Sequence, residues 1–213
     1  MKIALFGTSA DPPTTAHRTI LLWLAKHFDR VAVWASDNPF KNQPSGNGHG
    51  ANLHHRQTML KLLVQELQPS YPTIQIWEDL SDRRSLISLQ RAKDRWGSDP
   101  EYGLVIGSDL IEQIPRWYEV KQLLSQVTLI IFARPGYPLT PESLSLIENL
   151  GGHYRLVTED RLIELDQIPQ LPPLTPPVSS TDFRQRKDQT IIPDVVQRYI
   201  NQHHLYGQNS QGD

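Results

Sequence analysis

Hydrophobic residues along the chain fall into short runs that are separated by longer segments of mixed character. The short runs are rich in β-branched and aromatic residues and predict strands at residues 2–6, 30–35, 73–77, 102–106, 128–133 and 154–158. Apolar residues at helical spacing predict helices at residues 19–28 and 54–67, and the tail at 193–205 also has a helical pattern. Strands that alternate with helices predict an α/β fold in which both faces of a mainly parallel sheet are covered.

Ligands of such sheets bind in the crevice outside the carboxyl ends of the strands. The residues directly after the predicted strands are therefore the first candidates for a site, namely residues 7–17, 36–41, 107–109 and Arg134. Two segments interrupt the alternation of strands and helices. Residues 39–51 are rich in Gly and predict a flexible loop beside the site, and residues 168–178 are rich in Pro and predict an extended strap.

Composition narrows the class of protein. A chain of 213 residues predicts one domain, residues 1–213, with residues 178–206 as a C-terminal helical portion packed on it. A net charge of −2 argues against a nucleic-acid partner, and no apolar run approaches the roughly 18 residues that a membrane span needs. The chain contains no cysteine, which excludes disulfides and thiolate nucleophiles and makes a cytoplasmic location the simplest expectation. Whether the protein forms a homo-oligomer stays open.

The first segment with candidate chemistry follows the first predicted strand. It contains Gly7, the hydroxyl residues Thr8 and Ser9, a turn fixed by proline, and a helix predicted to begin at Thr14 or Thr15. Backbone N–H groups and a helix N-terminus would then point at one place, which suits an anion. An ordinary strand-to-helix turn has the same composition, and the segment contains neither a Walker A pattern nor a full dinucleotide fingerprint. Both interpretations stay open.

The second such segment lies near the C-terminus, at residues 178–186. Ser179 and Ser180 would begin a helix, with Arg184 one turn after Ser180. Hydroxyl residues at a helix start are common N-caps, so a capped surface helix is one interpretation. The alternative is a phosphate grip made of hydroxyls, N–H groups and a guanidinium.

Taken together and in this order, five stretches resemble the nicotinate-nucleotide adenylyltransferase family of the nucleotidyltransferase superfamily. Residues 7–17 are similar to the family signature Gly-Gly-Thr-Phe-Asp-Pro-x-His-x-Gly-His, and residues 38–41 to its Pro-Pro-His-Lys element. Residues 55–60 resemble its Arg-x-x-Met helix. Residues 105–117 resemble its Gly-x-Asp and Trp stretch, which leads into residues 132–136. Residues 178–184 match its Ile-Ser-Ser-Thr-x-Ile-Arg motif almost residue for residue.

The resemblance implies a three-layer α/β/α Rossmann-like nucleotidyltransferase fold. It also implies an activity, the transfer of the adenylyl group of ATP to nicotinate mononucleotide, which gives nicotinate adenine dinucleotide and pyrophosphate in NAD biosynthesis. Alternative acceptors are nicotinamide mononucleotide and phosphopantetheine, and a further alternative is a nucleotide-binding protein that has lost catalysis. The expected partners are ATP and a mononucleotide, and Mg²⁺ is expected to arrive with ATP rather than in a metal site of the protein.

Site residues carry over position by position. The resemblance gives the catalytic role to His17, Lys41 and Arg184. It places ATP beside Gly7, Thr8, Ser9, Thr14, His17, Gly107, Asp109, Ser179, Ser180, Thr181 and Arg184. It places the acceptor beside Asn38, Lys41, Arg56, Trp117 and Arg134.

Some of these residues also have structural interpretations. Trp117 would equally fill a core, Asp11 would equally form a turn, and Arg56 would equally be a solvated helix residue. The adjacent pairs at residues 54–55 and 203–204 are histidines, but neighbours on a helix point about 100° apart, so no metal site is predicted there.

The first signature departs from the family pattern. Thr14 stands at the first signature His, Ala16 at the Gly before the second His, and Thr8 and Ala10 at the second Gly and the Phe. One imidazole is therefore missing. The acceptor already carries a phosphate oxygen as nucleophile, and the leaving pyrophosphate needs charge stabilisation more than a proton. Because Thr14 can still donate one hydrogen bond, we expect the chain to retain activity.

Overall fold

The computed structural model describes residues 1–36, 50–134, 136–158, 161–163 and 178–207 of the chain. Most of the predicted loop at 39–51 and of the predicted strap at 168–178 lies outside these residues. Asn38 and Lys41 also lie outside the described residues, so their predicted roles stay predictions.

One sheet forms the centre of the fold. Its strands are β1 (Lys2–Thr8), β2 (Arg30–Ala35), β3 (Ile74–Ile76), β4 (Glu101–Gly107), β5 (Thr128–Phe132), β6 (His153–Thr158) and β7 (Arg161–Ile163). They are arranged in the order β3-β2-β1-β4-β5-β6-β7, and all neighbouring pairs are parallel except β6 with β7. The six predicted strands and the mainly parallel sheet are confirmed. Sequence analysis missed β7, because three residues are too few to show a period of two.

The helices of the described residues lie between and after these strands. They are α1 (Thr15–His27), α2 (Leu53–Leu67), α3 (Ser85–Trp96), α4 (Val120–Leu124), α5 (Pro141–Asn149), α6 (Ser180–Arg186) and α7 (Asp194–Gln202). Short 3₁₀ segments occupy Glu78–Leu80, Ser108–Arg116, Gln189–Ile191 and Leu205–Gly207. The prediction that the first helix begins at Thr14 or Thr15 is confirmed.

The helices cover both faces of the sheet. Alternate residues of β1 point to opposite faces, so that Ala4 and Phe6 pack with α1, α2, α6 and α7, whereas Ile3 and Leu5 pack with α3, α4 and α5. Each fully buried Leu or Ile contributes about 1.5–3 kcal/mol to the stability of this arrangement. The predicted three-layer α/β/α architecture is therefore confirmed.

A crevice opens at the carboxyl edge of the sheet between β1 and β4. The pairing of these two strands ends at Leu5 and Leu104. Beyond that point β1 continues to pair with β2 as far as Thr8, and β4 continues to pair with β5 as far as Gly107. The chain leaves β1 towards one edge of the sheet and β4 towards the other. This divergence is the topological switch point at which α/β sheets bind ligands.

Within the described ranges, no helix combines the length and the apolar character that crossing a bilayer would require.

Candidate active site

His17 lies where β1 gives way to α1. Thr14 is the N-cap residue of α1, and His17 lies in the first turn. Its Nδ1 atom lies 3.1 Å from the backbone nitrogen of Thr14 and 3.0 Å from the Thr14 hydroxyl oxygen. Its Nε2 atom lies 3.1 Å from the hydroxyl oxygen of Thr8, the last residue of β1. The imidazole therefore bridges the end of the strand and the start of the helix, at the crevice.

Thr14 itself is fully buried, with 0% of its surface exposed, whereas His17 retains 8%. In the structure Thr14 holds the ring of His17. The contact of Thr14 with ATP therefore stays a prediction.

Arg56 of α2 ties the ends of two strands together. Its Nη1 atom donates to the backbone carbonyls of Ser9, at 2.9 Å, and Ser36, at 2.8 Å. These two serines follow β1 and β2, so one guanidinium fixes both strand ends. Arg56 is 3% exposed, and its interpretation as a solvated helix residue is therefore wrong. Its Nη2 atom is buried without a hydrogen-bond partner among the described residues, and its contact with the acceptor stays a prediction.

Asp11 connects three distant parts of the chain. Its Oδ1 atom accepts hydrogen bonds from the backbone N–H of Ala51, at 2.9 Å, and from the hydroxyl of Tyr206, at 2.7 Å. Its Oδ2 atom lies 3.5 Å from Nη1 of Arg184. A turn-forming Asp would bond to backbone two residues further on. The carboxylate of Asp11 instead anchors the start of α2 and the C-terminal segment to the loop after β1.

The two candidate segments of the sequence meet in space. The Ser180 hydroxyl donates to the backbone carbonyl of Pro12 at 2.8 Å, and Nη1 of Arg184 donates to the backbone carbonyl of Asp11 at 2.5 Å. Thus the start of α6 packs directly against the loop between β1 and α1. The crevice is bordered by both motifs although they lie more than 150 residues apart in sequence.

The start of α6 is also capped in the ordinary way. The Ser179 hydroxyl accepts from the backbone N–H of Asp182 at 3.1 Å, and the Asp182 carboxylate accepts from the backbone N–H of Ser179 at 2.9 Å. Nη2 of Arg184 donates to the hydroxyl of Thr181 at 3.2 Å. The capped-helix interpretation is therefore confirmed, and the phosphate grip stays a prediction built on the same helix.

On the other side of the crevice, Asp109 and Arg134 form an ion pair. Nη1 of Arg134 lies 2.8 Å from Oδ2 of Asp109. Oδ1 of Asp109 is buried and has no hydrogen-bond partner within the described part of the chain. A Cβ atom at Gly107 would lie 2.4 Å from Oδ1 of Asp109 and 2.6 Å from Cδ of Arg134. Gly107 is thus needed because the ion pair packs directly against its backbone.

Gly7 and Trp117 both have packing roles. A Cβ atom at Gly7 would lie 2.7 Å from Nε1 of Trp34, so the indole ring of Trp34 needs a glycine at this point of β1. Trp117 is partly buried against the core on the α3, α4 and α5 face. This packing supports its structural interpretation, while its contact with the acceptor stays a prediction.

Sequence comparison identifies the family of this site. The model of the cytidylyltransferase-like family matches residues 5–186. A protein of Synechocystis sp. named "Probable nicotinate-nucleotide adenylyltransferase" is 60% identical over 209 residues, which cover 98% of this chain and 100% of that protein. The chain belongs to the nicotinate-nucleotide adenylyltransferase family. It is therefore a nucleotidyltransferase, and the resemblance inferred from the five motifs is confirmed.

More distant relatives share the same overall organisation. A nicotinate-nucleotide adenylyltransferase homologue of Pectobacterium atrosepticum is 30% identical, with 95% of this chain and 97% of that protein covered. The solved structure of a Plasmodium falciparum nicotinic acid mononucleotide adenylyltransferase complexed with NaAD matches with a TM-score of 0.73 at 19% identity, covering 98% of each chain. This likeness confirms the predicted Rossmann-like fold of the chain.

Sequence analysis missed the part that Tyr206 plays in this site. Tyr206 is 7% exposed, and its ring packs edge-on against Phe183 of α6 at 5.5 Å between centroids. Lys187 donates from Nζ to the backbone carbonyl of Tyr206. No periodicity signals these contacts, because Tyr206 follows the last helix in a short segment.

Proposed function

We propose that the protein transfers the adenylyl group of ATP to nicotinate mononucleotide and releases pyrophosphate. A phosphate oxygen of the mononucleotide forms the new bond to the α-phosphorus of ATP, and the bond from that phosphorus to the bridging oxygen of the β-phosphate breaks. The product is nicotinate adenine dinucleotide, an intermediate of NAD biosynthesis. Support comes from the name of the 60% identical relative and from the NaAD complex of the Plasmodium falciparum neighbour.

The observation that carries this proposal is the contact between α6 and the loop after β1. Ser180 and Arg184 bond to the backbone of Pro12 and Asp11 and thereby reach the N-terminus of α1 at the switch point. A helix N-terminus and a guanidinium at one place favour a polyphosphate. Adenylyl transfer depends mainly on positioning and on charge stabilisation of this kind.

Roles for individual residues follow from their positions. We assign the triphosphate to the loop after β1, with His17, Ser180 and Arg184 around it and Lys41 completing the cationic surface. The adenosine would lie along Gly107 and Asp109, where Oδ1 of Asp109, which has no hydrogen-bond partner among the described residues, could accept from ribose hydroxyls. Ser179 and Thr181 hold the turn that carries Ser180.

The acceptor is assigned to the β4 and β5 side of the crevice. Trp117 and Arg134 lie on that side of the fold, whereas Arg56 ties the ends of β1 and β2 on the opposite side and Asn38 follows β2 in sequence, so the acceptor would reach across the crevice to them. Arg134 is bound to Asp109, so the nucleotide and the acceptor would meet at one ion pair. This arrangement would bring the phosphate of the acceptor close to the α-phosphorus.

The described residues fit a metal ion that arrives with its nucleotide. They contain no group of three or more His, Cys, Asp or Glu side chains able to hold a metal. Both carboxylate oxygens of Asp11 already face hydrogen-bond donors or the Arg184 guanidinium. Mg²⁺ is characteristically bound through substrate phosphates and water, and when bound it neutralises charge on the departing pyrophosphate. We therefore propose Mg²⁺ as the metal, held by ATP. The length of the chain and its lack of cysteine support the further proposal of a single-domain cytoplasmic enzyme.

The proposal is tested by pyrophosphate release from ATP and Mg²⁺. Nicotinate mononucleotide, nicotinamide mononucleotide and phosphopantetheine are offered separately. We expect fast release with the first and much slower release with the others. Faster release with either of the others would overturn the acceptor assignment. Measurable ATP binding without release from any acceptor would show a nucleotide-binding protein without catalysis.

A further inference from the structure

Thr8 occupies the position of a glycine in the family signature, so its side chain adds a group that the pattern lacks. It is the last residue of β1 and is only partly buried. Along β1 its side chain has the same parity as Ala4 and Phe6, which pack on the α1 face. The Thr8 hydroxyl therefore lies at the mouth of the crevice, on the side where α1 begins.

The hydrogen bonds of His17 fix its tautomer. A backbone amide can only donate, so Nδ1 of His17 must accept the hydrogen bond from the N–H of Thr14 at 3.1 Å. A neutral imidazole that accepts at Nδ1 carries its proton on Nε2. Nε2 then donates to the hydroxyl oxygen of Thr8 at 3.1 Å.

This direction of donation determines what Thr8 offers to a ligand. A hydroxyl that accepts from a ring N–H still has its own hydrogen to donate. Thr14, which stands at the missing signature His, is completely buried. The geometry thus leaves the hydroxyl of Thr8, and not that of Thr14, able to reach an anion in the crevice.

We propose that the Thr8 hydroxyl donates a hydrogen bond to the triphosphate of ATP and thereby takes over the contact of the missing imidazole. His17 orients this hydroxyl through Nε2–H, and the backbone N–H of Thr14 orients His17. Through Nε2–H, His17 positions the Thr8 hydroxyl against the triphosphate that the proposed function places beside both residues. This inference rests on the proposed function and specifies how the same site holds its phosphates.

The test compares Thr8→Val and Thr8→Ser with the wild-type enzyme. Valine keeps the branched shape that a strand favours but removes the hydroxyl, whereas serine keeps the hydroxyl. For Thr8→Val we expect kcat of pyrophosphate release to fall by about 10- to 100-fold, the loss expected for one hydrogen bond to a charged group. KM for nicotinate mononucleotide should stay unchanged, and Thr8→Ser should recover most of the turnover.

Thr19→Val is the matched control, since the Thr19 hydroxyl donates to the backbone carbonyl of Thr15 within α1 itself, at 3.1 Å. It should leave kcat unchanged. Thermal unfolding followed by circular dichroism checks that each variant is folded. Equal turnover in Thr8→Val and wild type would overturn the assignment of Thr8.

Long-range ¹H–¹⁵N spectra of the histidine rings separate a direct role of Thr8 from a purely structural one. The Nδ1-acceptor tautomer of His17 should persist in Thr8→Val, because Thr14 sets it. Loss of turnover together with a changed tautomer would mean that Thr8 only holds the ring, which would also overturn the proposal.

ATP binding keeps the two proposals distinguishable. If wild-type enzyme releases no pyrophosphate with any acceptor, the proposed function fails while Thr8 can still be tested by calorimetric titration with ATP. Weaker ATP binding by Thr8→Val than by Thr19→Val would then support the contact. Equal binding would overturn it.

Discussion

Tyr206→Phe tests whether the C-terminal segment stabilises the site through Asp11. Phenylalanine keeps the edge-on contact with Phe183 and removes only the hydroxyl, which donates to Oδ1 of Asp11 at 2.7 Å. Burial, and then the nearby Asp11 carboxylate, raises the pKa of the Tyr206 hydroxyl, so the group stays protonated and continues to donate. The substitution therefore removes one buried hydrogen bond to a charged acceptor.

The expected loss follows from the other partners of the carboxylate. A hydrogen bond to a charged group contributes about 1.5–3 kcal/mol. Asp11 would keep the N–H of Ala51 and the guanidinium of Arg184, so it is not left unpaired, and the lower end of that range applies. In a chain of 213 residues a loss of about 1.5 kcal/mol lowers Tm by about 3–6 °C.

Urea unfolding of wild type and Tyr206→Phe measures the loss of stability directly. An unchanged m-value would show that both proteins expose the same surface area when they unfold. We also expect kcat to fall, since Asp11 belongs to the loop after β1 and its carboxylate contacts the guanidinium of Arg184. Tyr199→Phe is the matched control, because the Tyr199 hydroxyl faces His55 and not the crevice. If Tyr206→Phe is as stable and as active as wild type, the anchoring role of Tyr206 is refuted.

Three further changes test other parts of the site. Gly107→Ala places a Cβ atom 2.4 Å from Oδ1 of Asp109, and the resulting displacement should lower kcat/KM for ATP by about 10- to 100-fold in steady-state assays. Arg184→Ala should lower kcat by about 100-fold or more with the fold intact, whereas His204→Ala, at an exposed position, should leave kcat unchanged. The Tm of the wild-type protein should fall as pH drops below about 6.5, and the Tm of His55→Gln should fall less, as measured by thermal scans between pH 5 and pH 8.

The sign of the pH effect comes from the surroundings of His55. Burial, followed by the charges of His203 and His54, lowers the pKa of His55 below its ordinary value of 6.5. The unfolded chain therefore binds a proton more readily than the folded one as pH falls through that value. The contribution of His55 to stability is therefore fully present above about pH 6.5 and is lost as pH falls through the lowered pKa of the folded state. An identical pH dependence in His55→Gln would contradict this assignment.

Unchanged turnover in Arg184→Ala would show that the guanidinium does not bind the phosphates. For Gly107→Ala the informative comparison is with folding. A variant that unfolds at the wild-type temperature but keeps full kcat/KM would show that Asp109 is not needed in its present position.

Much of the fold was predictable from the sequence. Apolar runs marked β1, β2, β4 and β5 because strands buried on both faces are continuously apolar. The strand β7 and the five-residue helix α4 were not predicted, since elements this short contain fewer than two periods and therefore show no repeating pattern. Their existence depends on neighbours that pack against them.

The candidate site was predictable only at the level of segments. The motifs at residues 7–17 and 178–184 correctly marked two parts of the chain that meet. Composition did not reveal whether a hydroxyl faces solvent or the interior. Thr14 and Arg56 are both buried, and Arg56 is held there by the backbone carbonyls of Ser9 and Ser36, which come from two other segments of the chain.

The sequence by itself determined the α/β class, the helix start after β1 and the family, since each depends on residues close together in the chain or on a fixed order of motifs. The tertiary structure alone decided the partners of the polar groups. Asp11 binds Tyr206 across 195 residues, and Thr8 faces His17 because a strand end and a helix start converge. Hydrogen bonds require positions accurate to a few tenths of an ångström. Such positions are set by the packing of the whole core, which local patterns do not encode.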